Sequence, residues 1–407
     1  MSLFSAGEWQ QYQRHIQLDA VGVDGQFRLK NAKVLVVGAG GLGCPVAMYL
    51  GAAGVGNITI IDGDSISQTN LHRQVLFAYT DVGKPKAHVA AIRIRENNPF
   101  ITVAALDELL SESNIDILVA QADIVLDCTD NFATRLQIND TCRAHDKPWV
   151  YASVLGLEGQ VALFTPSCAC FRCIFPDIPA DVADCNSAGV LGSVVGAVGL
   201  LQANTCLGYL LDLQDESQGK LHFFSGISNQ VRSIALQQNK LCTCASPSQV
   251  LRCQPLKTAD PIESKELGQE PGLHITDDIQ SQIRSQIELS PEQFVKQLGR
   301  LEGAPESCLN SARKSKVIDI GLIDVRSADE HRGFNIGGQC LPLSDDFADR
   351  VGTKLSHKTQ PILLYCQSGK RSYKAALRLR AKGYGRVYSL KGGLGELLSH
   401  SQFVKWF

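Results

Sequence analysis

The sequence predicts an α/β protein with a mainly parallel sheet, followed by a second and smaller α/β domain. Strand-like and helix-like segments alternate between about residues 33 and 154, which is typical of a parallel sheet covered by helices on both faces. A second alternation of the same kind begins near residue 290. With 407 residues, the chain is also too long for one compact core, so at least two domains are expected.

The first predicted strand, Val34–Val37, leads into a glycine-rich turn. Gly38, Gly40 and Gly43 have the G-x-G-x-x-G spacing of a strand that turns tightly into a helix. Glycines let the backbone approach a phosphate closely, and the N–H groups at the start of the helix favour negative charge. The spacing therefore predicts a nucleotide site, although a tight structural turn would have the same pattern.

The other segments of the first domain continue the alternation of strands and helices. Ligands of such a sheet bind beyond the carboxyl ends of the strands, where Gly41, Asp62 and Asp130 all fall. Asp62, at the end of the second strand, is placed to bind a ribose hydroxyl. The predicted elements are a helix before Val34, a strand at Asn57–Asp62, a helix at Pro85–Glu96, strands at Ile101–Leu106 and Asp123–Asp127, a helix from about Ala133 to Ala144, and a strand at Trp149–Val154.

The segment Ala188–Leu211 carries no charged residue and is long enough to span a bilayer. It contains several glycines as well as Gln202 and Asn204, and neither an aromatic belt nor a basic flank frames it. We therefore expect a helix that is buried within the protein or at a subunit interface, and no membrane contact. The strands at Gln160–Phe164 and Leu221–Phe224, on either side of it, are predicted to be antiparallel.

The composition is that of an ordinary soluble protein. Hydrophobic residues make up 44% of the chain, the formal net charge is −2, and no basic run is long enough to indicate nucleic-acid binding. The first residues lack the basic and apolar regions of a secretory signal, so a cytoplasmic location is expected. The 14 cysteines should then be reduced, and available for metal binding, nucleophilic chemistry or core packing.

The boundaries follow from shifts in composition. We predict a first domain at residues 1–250, a linker at residues 251–289 that is rich in Pro, Ser, Gln, Asp and Glu, and a second domain at residues 290–407. Ser290, Pro291 and Glu292 form a helix start, with an N-cap, a proline at the first position and an acid in the first turn. The elements predicted after it are strands at Leu322–Val325, Pro361–Tyr365 and Arg386–Leu390, and a helix at Ser372–Lys382.

Cys366 opens the loop between the second of these strands and the helix. The helix N-terminus, Lys370 and Arg371 would all favour the thiolate, which is the nucleophilic form of cysteine. A buried structural cysteine is the alternative. Cysteine phosphatases place an arginine after five intervening residues, whereas Arg371 follows Cys366 after four, and Ser372 stands at the phosphatase position.

The shorter loop resembles that of the rhodanese sulfurtransferases. Asp324-Val325-Arg326 and Gly333-Phe334-Asn335-Ile336-Gly337-Gly338 also resemble that family, although it commonly has His where Asn335 stands. The resemblance covers about Ser290–Phe407. It implies a rhodanese-like domain in which Cys366 carries a sulfane sulfur as a persulfide.

The first domain resembles the HesA/MoeB/ThiF adenylating enzymes that activate ubiquitin-like proteins, over about Phe4–Cys244. The resemblance rests on several motifs that occur in order along the chain. These are Gln11-Tyr12-Gln13-Arg14-His15-Ile16, Gly38-Ala39-Gly40-Gly41-Leu42-Gly43, Asp62-Gly63-Asp64, Thr69-Asn70-Leu71-His72-Arg73-Gln74, Gly83-Lys84-Pro85-Lys86 and Asp127-Cys128-Thr129-Asp130-Asn131.

The resemblance implies a Rossmann-like adenylation domain that uses ATP. Attack of a carboxylate on the α-phosphate requires neutralisation of three phosphates, which the family assigns to arginine, lysine and Mg²⁺. A homodimer is implied as well, because one arginine reaches the phosphates from the partner subunit. The implied residues are Arg73 and Lys86 on the triphosphate, Arg14 from the partner subunit, Asp130 on Mg²⁺, Asp62 on the ribose, and Gly38, Gly40, Gly41, Gly43, Asn70 and Asn131 around the nucleotide.

Cysteines of the first domain match two further features of this family. Cys185 stands where related enzymes have a cysteine that forms a thioester or an acyl disulfide. Four other cysteines correspond to a structural zinc site of the family. The first pair has the C-x-x-C spacing, but the second pair is one residue short of it. The alternatives are that Cys168 replaces one of these ligands, or that the site holds no metal. The four are Cys170, Cys173, Cys242 and Cys244.

Together the two resemblances imply one function. The first domain would adenylate the C-terminal Gly-Gly carboxylate of a ubiquitin-like sulfur carrier, and the Cys366 persulfide, directly or through Cys185, would convert it into a thiocarboxylate. A donor such as a cysteine desulfurase would load Cys366. Molybdenum cofactor biosynthesis, thiamine biosynthesis, tRNA thiolation or another sulfur pathway would use the product. The alternatives are a sulfurtransferase whose front half only binds a carrier, and a dinucleotide-dependent redox enzyme.

Overall fold

The computed structural model describes residues 2–176, 189–213, 218–239, 242, 284–301, 321–354, 358–400 and 403. The chain divides into two compact units. The large unit is His15–Asp260, and the small unit combines Met1–Arg14 with Pro261–Phe407. Helix α1 (Ala6–Ile16) begins in the small unit and ends in the large one. The first residues of the chain therefore belong to the same unit as its C-terminal half.

The large unit is built on an eight-stranded sheet. Its strands are β1 (Lys33–Val37), β2 (Asn57–Ile61), β3 (Thr102–Leu106), β4 (Ile124–Asp127), β5 (Trp149–Leu155), β6 (Glu158–Phe164), β7 (Lys220–Ser225) and β8 (Gln230–Ala235). The helices of this unit are α2 (Gly22–Asn31), α3 (Gly43–Ala53), α4 (Lys86–Asn97), α5 (Ile115–Gln121), α6 (Phe132–Ala144), α7 (Phe171–Ile174) and α8 (Gly192–Leu210).

The sheet has the strand order β3-β2-β1-β4-β5-β6-β7-β8. The five strands from β3 to β5 are parallel, and β6, β7 and β8 are added to them in antiparallel fashion. This arrangement confirms the predicted mainly parallel sheet and the predicted antiparallel strands around the apolar helix. Strand β8 and helix α5 were not expected from the sequence.

Strand β1 lies at the centre of the sheet and is covered on both faces. Val34 and Val36 belong to one hydrophobic cluster, and Leu35 and Val37 belong to another on the opposite face. This alternation is the two-residue period of a strand, and the continuous apolar run is typical of a strand buried on both sides. The sheet edge where β1, β2 and β4 end is thereby held rigidly by two cores.

Helix α8 corresponds to the uncharged segment of the sequence. Among the described residues it is the one helix with the length and hydropathy of a membrane span, and half of it is buried within the protein. It packs against α3, β5 and β6. Gln202, near its middle, is fully buried and donates hydrogen bonds to the carbonyls of Asp127 (2.7 Å) and Val150 (3.0 Å). These contacts confirm the predicted burial of the helix in the protein.

The small unit has a parallel five-stranded sheet in the order β11-β10-β12-β13-β9, which confirms the predicted second α/β domain. Its strands are β9 (Glu288–Leu289), β10 (Leu322–Asp324), β11 (Gln339–Cys340), β12 (Ile362–Tyr365) and β13 (Val387–Leu390). The helices after α1 are α9 (Pro291–Leu301), α10 (Ala328–Gly333), α11 (Phe347–Lys354), α12 (Lys370–Ala381) and α13 (Gly393–Ser399).

A pair of glycines in α8 tests the close packing of this helix. A Cβ at Gly199 would lie 2.5 Å from Cγ of Pro45 and 2.9 Å from the carbonyl oxygen of Leu42, whereas a Cβ at Gly196 has no atom within 4 Å. Gly199→Ala should therefore destabilise the protein by about 1–3 kcal/mol through overpacking. Gly196→Ala should stabilise it by up to about 1 kcal/mol, because alanine is the better helix former. Urea midpoints of the two variants measure this, and equal midpoints would contradict the packing.

Candidate functional site

A cleft of about 510 Å³ lies at the carboxyl ends of the parallel strands of the large unit. It brings together nine of the predicted nucleotide-binding residues. These are Gly38, Gly40, Gly41, Asp62, Asn70, Arg73, Lys86, Asp130 and Asn131. The tenth, Gly43, does not line the cleft.

The glycine turn explains the position of Gly43. Gly38 has a φ of 95°, a conformation that side chains other than that of glycine rarely adopt. A Cβ at Gly43 would lie 2.0 Å from the carbonyl oxygen of Gly38, so the first residue of α3 packs directly under the turn. The spacing of the glycines thus brings the N-terminus of α3 up to the cleft, where its N–H groups favour an anion.

Asp62 holds the turn in place from the end of β2. Its carboxylate accepts the backbone N–H of Ala39 at 2.7 Å and that of Asp64 at 2.8 Å. Burial raises the pKa of Asp62, and these two hydrogen bonds oppose the shift. Each carboxylate oxygen accepts more than one hydrogen bond, so Asp62 can bind a ribose hydroxyl while it keeps the turn closed.

Lys86 reaches the cleft from the first turn of α4. Its ammonium group lies 2.7 Å from Oδ2 of Asp64, and its side chain is buried while that of Asp64 is 65% exposed. A partly exposed ion pair of this kind is weak, on the order of 0–1 kcal/mol. Asp64 therefore orients Lys86 without preventing the ammonium group from binding a phosphate.

Arg73 and Asp130 also line the cleft. Within the described part of the chain, neither side chain forms a salt bridge. Nη1 of Arg73 lies 2.8 Å from Nε2 of His72 and 3.4 Å from the carbonyl oxygen of Thr69. The arginine is thus available to an anion, and the exposed carboxylate of Asp130 is available to a cation.

A buried ion pair fixes the loop that carries Asp130. Nε of Arg135 lies 3.4 Å from Oδ2 of Asp127, and both side chains are buried. Nη2 of Arg135 donates to the carbonyl of Thr129 at 2.8 Å, and Asp127 accepts the hydroxyl of Thr129 at 2.6 Å. The guanidinium group also lies 5.3 Å from the ring centroid of Tyr151. Asp130 therefore extends from a loop whose conformation is set beneath it.

Three of the four predicted zinc ligands lie together. The sulfur atoms of Cys170, Cys173 and Cys242 are all within 4.8 Å of one another. Sγ of Cys170 lies 3.7 Å from Sγ of Cys173 and 3.6 Å from Sγ of Cys242. A tetrahedral zinc site with Zn–S bonds of about 2.3 Å has S–S edges of about 3.8 Å, so the three thiols have the spacing of such a site. Cys168 is not part of this cluster.

In the small unit, Cys366 follows β12 and is fully buried. Its sulfur accepts the backbone N–H of Ser372 at 3.4 Å and lies 3.5 Å from the hydroxyl of the same residue. The hydroxyl of Ser389 donates to that of Ser372 at 2.9 Å. Since the N–H belongs to the first turn of α12, the helix N-terminus is directed at the sulfur. The sulfur thus lies where a helix N-terminus presents a hydrogen-bond donor.

Arg371 is held by a carboxylate on α10. Its guanidinium group forms a bidentate ion pair with Glu330, with distances of 2.8 Å and 2.7 Å. The hydrogen bonds to Glu330 raise the pKa of Arg371. The sequence predicted Arg371 as a cation for the thiol, and the structure adds that Glu330 neutralises part of its charge.

The other predicted site residues are Arg14, Cys185 and Cys244. Arg14 is exposed and belongs to the small unit. Cys185 and Cys244 lie outside the described residues. Asn335, which stands where rhodaneses commonly have histidine, donates to the carbonyl of His331 at 2.8 Å and accepts the N–H of Gly337 at 3.0 Å. It thereby fixes the turn before β11.

Five further residues shape the two sites, although the sequence did not predict them as site residues. Asp64, Gln74 and Arg135 line the cleft, and the buried Oε1 of Gln74 has no hydrogen-bond partner among the residues that the structure describes. Ser372 and Glu330 surround the thiol loop and its arginine. Asp64 and Gln74 belong to motifs of the adenylating family, and Ser372 stands in the Cys366 loop, so the sequence carried a signal for these three. Arg135 and Glu330 depend on contacts that form only on folding.

The fold and the two sites define an α/β enzyme that combines a nucleotide cleft with an anion-stabilising thiol loop. The ThiF family profile matches residues 12–245, and the rhodanese-like domain profile matches residues 305–400. The chain therefore belongs to the ThiF family, and it carries a C-terminal rhodanese-like domain. It is an ATP-using adenylyltransferase joined to a sulfurtransferase domain.

Individual relatives match one or both halves. The Escherichia coli (strain K12) sulfur carrier protein ThiS adenylyltransferase is 41% identical over 237 residues, which are 58% of this chain and 94% of that protein. The adenylyltransferase and sulfurtransferase MOCS3 of Caenorhabditis briggsae is 35% identical over 383 residues, 91% of this chain and 89% of that protein. The structure of E. coli MccB with ATP has a TM-score of 0.51 and 26% identity, and the match covers 58% of this chain and 74% of that one.

The buried ion pair beneath Asp130 makes a testable contribution to stability. Arg135→Met leaves Asp127 buried without its cation and should lower the free energy of unfolding of the large unit by about 3 kcal/mol. The matched control is Arg172→Met, because Arg172 pairs with a partly exposed Asp140 and should contribute less than about 1 kcal/mol. Urea unfolding followed by near-ultraviolet circular dichroism measures both, and equal losses would contradict the assignment.

Proposed function

We propose that this chain adenylates the C-terminal glycine of a ubiquitin-like sulfur carrier protein and then converts the adenylate into a thiocarboxylate with sulfur carried by Cys366. The observation that carries the proposal is the combination of Lys86, Arg73 and Asp130 over the glycine turn, in a chain whose second site presents a thiol to a helix N-terminus. The E. coli relative is named as acting on the sulfur carrier protein ThiS, and the C. briggsae relative is named as both an adenylyltransferase and a sulfurtransferase. Both names support the proposed substrate class and the order of the two steps.

In the first half-reaction, a carboxylate oxygen of the carrier attacks the α-phosphate of ATP, and the bond to the bridging oxygen of the β-phosphate breaks. Arg73 and Lys86 would neutralise the triphosphate, and Asp62 would hold the ribose. The carboxylate of Asp130, which forms no salt bridge with the described residues, fits a Mg²⁺ ion that would screen the phosphate charge. Pyrophosphate leaves, and the carrier ends in an acyl adenylate that is open to nucleophiles.

In the second half-reaction, the terminal sulfur of a Cys366 persulfide attacks the carbonyl carbon and AMP leaves. The product is an acyl disulfide between the carrier and Cys366. A second thiolate then attacks Sγ of Cys366, which releases the carrier thiocarboxylate and forms a new disulfide. Cys185 is the proposed second thiol, and an external thiol reductant would restore both cysteines.

The remaining partners are proposals of the same kind. A cysteine desulfurase is proposed as the physiological sulfur donor, and a homodimer is proposed because Arg14 would then contact the phosphates of a partner subunit. Molybdenum cofactor and thiamine biosynthesis are the proposed users of the product. A cytoplasmic location stays a prediction.

A zinc ion is proposed at Cys170, Cys173 and Cys242, with Cys244 as the fourth ligand. The spacing of the three sulfur atoms supports it, and the reduced cysteines supply the thiolates that zinc prefers. The role would be structural, since four protein ligands leave no open coordination position.

Pyrophosphate exchange tests the first half-reaction. With a purified ThiS-type carrier, the chain should incorporate labelled pyrophosphate into ATP, and Asp130→Ala should reduce the rate by roughly a hundredfold, the scale expected when an electrostatic partner of the transition state is removed. Cys366→Ala should leave the exchange unchanged, because it acts only afterwards.

The matched control is Asp107→Ala, which removes an exposed aspartate that does not line the cleft. An exchange rate that is unaffected by Asp130→Ala, or equally reduced by Asp107→Ala, would contradict the proposed role.

Metal content tests the zinc site. Full-length protein purified under reducing conditions should contain about one zinc per chain, and Cys170→Ser should lose it and lower the melting temperature. Cys168→Ser should keep the metal, because Cys168 lies outside the cluster. Mass spectrometric metal analysis decides, and zinc-free wild-type protein would refute the site.

A further inference from the structure

The N-terminal segment packs onto the rhodanese-like part of the small unit. Its contact begins with the backbone, since the N–H of Leu3 donates to the carbonyl of Arg332 at 3.3 Å and that of Phe4 donates to Gly333 at 3.1 Å. Helix α1 then continues along the same unit. Residues from the two ends of the chain are therefore neighbours within one compact unit.

Trp9 is the centre of this contact and is only 2% exposed. Its ring stacks on Phe334 with 6.1 Å between centroids, and the guanidinium group of Arg326 lies 5.4 Å from its centroid. Arg326 is itself fixed, because it forms a fully buried ion pair with Asp324. The indole of Trp9 thus has one orientation, and its N–H donates to Oε1 of Gln367 at 3.1 Å.

Gln367 is held at both ends of its amide group. While Oε1 accepts from Trp9, Nε2 donates to Oε1 of Gln13 at 2.7 Å. An indole N–H only donates, so the amide oxygen of Gln367 must face Trp9 and its nitrogen must face Gln13. Trp9 and Gln13 are four residues apart on α1 and lie on the same helix face. One face of the helix therefore fixes a single side-chain conformation of Gln367.

Gln367 directly follows Cys366. The main chain of this loop is held by α13, whose Leu394 N–H donates to the carbonyl of Cys366 at 2.9 Å and whose Gly395 N–H donates to that of Gln367 at 3.0 Å. The backbone is thus fixed by α13, the sulfur is fixed by Ser372, and the adjoining side chain is fixed by α1. Only the last of these constraints comes from outside the rhodanese-like domain.

We propose that Trp9 and Gln13 are positioning residues for sulfur transfer, which act by holding Gln367 and with it the loop that presents Cys366. The sulfurtransferase site of this chain is thus completed by the first residues of the polypeptide. This inference rests on the proposed function in one respect, namely that Cys366 is the sulfur-carrying thiol.

Thiosulfate and cyanide provide a direct assay on the full-length protein. The Cys366 thiolate attacks the outer sulfur of thiosulfate, an S–S bond to Cys366 forms, and sulfite leaves with the electron pair of the broken bond. Cyanide then takes the terminal sulfur as thiocyanate, and the thiolate is restored. The single-turnover rate of sulfite release at saturating thiosulfate reports on the positioning of Cys366.

Gln13→Leu and Trp9→Phe each remove one hydrogen bond to Gln367 and keep most of the packing. Each should lower the single-turnover rate by roughly threefold to tenfold, the factor that corresponds to one net hydrogen bond. Gln13→Glu keeps an acceptor for Nε2 of Gln367 and should retain the wild-type rate. Gln10→Leu, at an exposed position of the same helix, is the matched control and should have no effect.

Two further readouts distinguish a positioning role of Gln13 from a purely structural one. Pyrophosphate exchange should stay unchanged in Gln13→Leu, because Gln13 does not line the nucleotide cleft. In a double-mutant cycle, Gln13→Leu and Gln367→Leu should be non-additive, whereas Gln10→Leu and Gln367→Leu should be additive. Wild-type rates in both Gln13→Leu and Trp9→Phe, or additivity of the first pair, would overturn the inference. Persistent sulfite release in Cys366→Ala would instead refute the proposed function.

Discussion

The close approach between the first residue of α3 and the glycine turn is the constraint on which the nucleotide site depends. No side chain separates Gly43 from the carbonyl of Gly38, so the helix N-terminus reaches the strand ends. Asp62 then closes the turn by accepting the N–H of Ala39. Because backbone N–H groups can bind one phosphate group of a nucleotide, the cationic side chains around the cleft remain available for the other phosphate groups. The shape of the cleft thus depends on backbone geometry and not on the charged side chains.

The two units use the same structural device for different anions. In each, a buried parallel strand ends in a short loop, and the N-terminus of the next helix is directed at the ligand position. In the large unit the loop has no side chain at the critical positions, which suits a polyphosphate. In the small unit the loop begins with Cys366, whose sulfur accepts the N–H of Ser372. The residues of the loop, glycines in one unit and a leading cysteine in the other, therefore distinguish the two sites on a similar local fold.

Much of the architecture could be predicted because buried strands are continuous apolar runs and glycine spacing is local. Strand β8 was missed because all of its residues are exposed, so it has no apolar pattern. The pairing of Lys86 with Asp64 and of Arg371 with Glu330 could not be predicted, since the sequence gives the charges but not their distances. Contacts between α1 and the rhodanese-like domain were also beyond prediction, because they join residues more than 300 positions apart.

We propose that one chain forms an adenylate at the first site and delivers sulfur to it from Cys366. The most direct test is mass spectrometry of a ThiS-type carrier incubated with the full-length protein, ATP, thiosulfate and a thiol reductant. The carrier should gain the mass of one sulfur in exchange for one oxygen only when ATP is present, and the reaction of Cys366→Ala should stop at the adenylate. Thiocarboxylate formed without ATP, or formed equally well by Cys366→Ala, would contradict it.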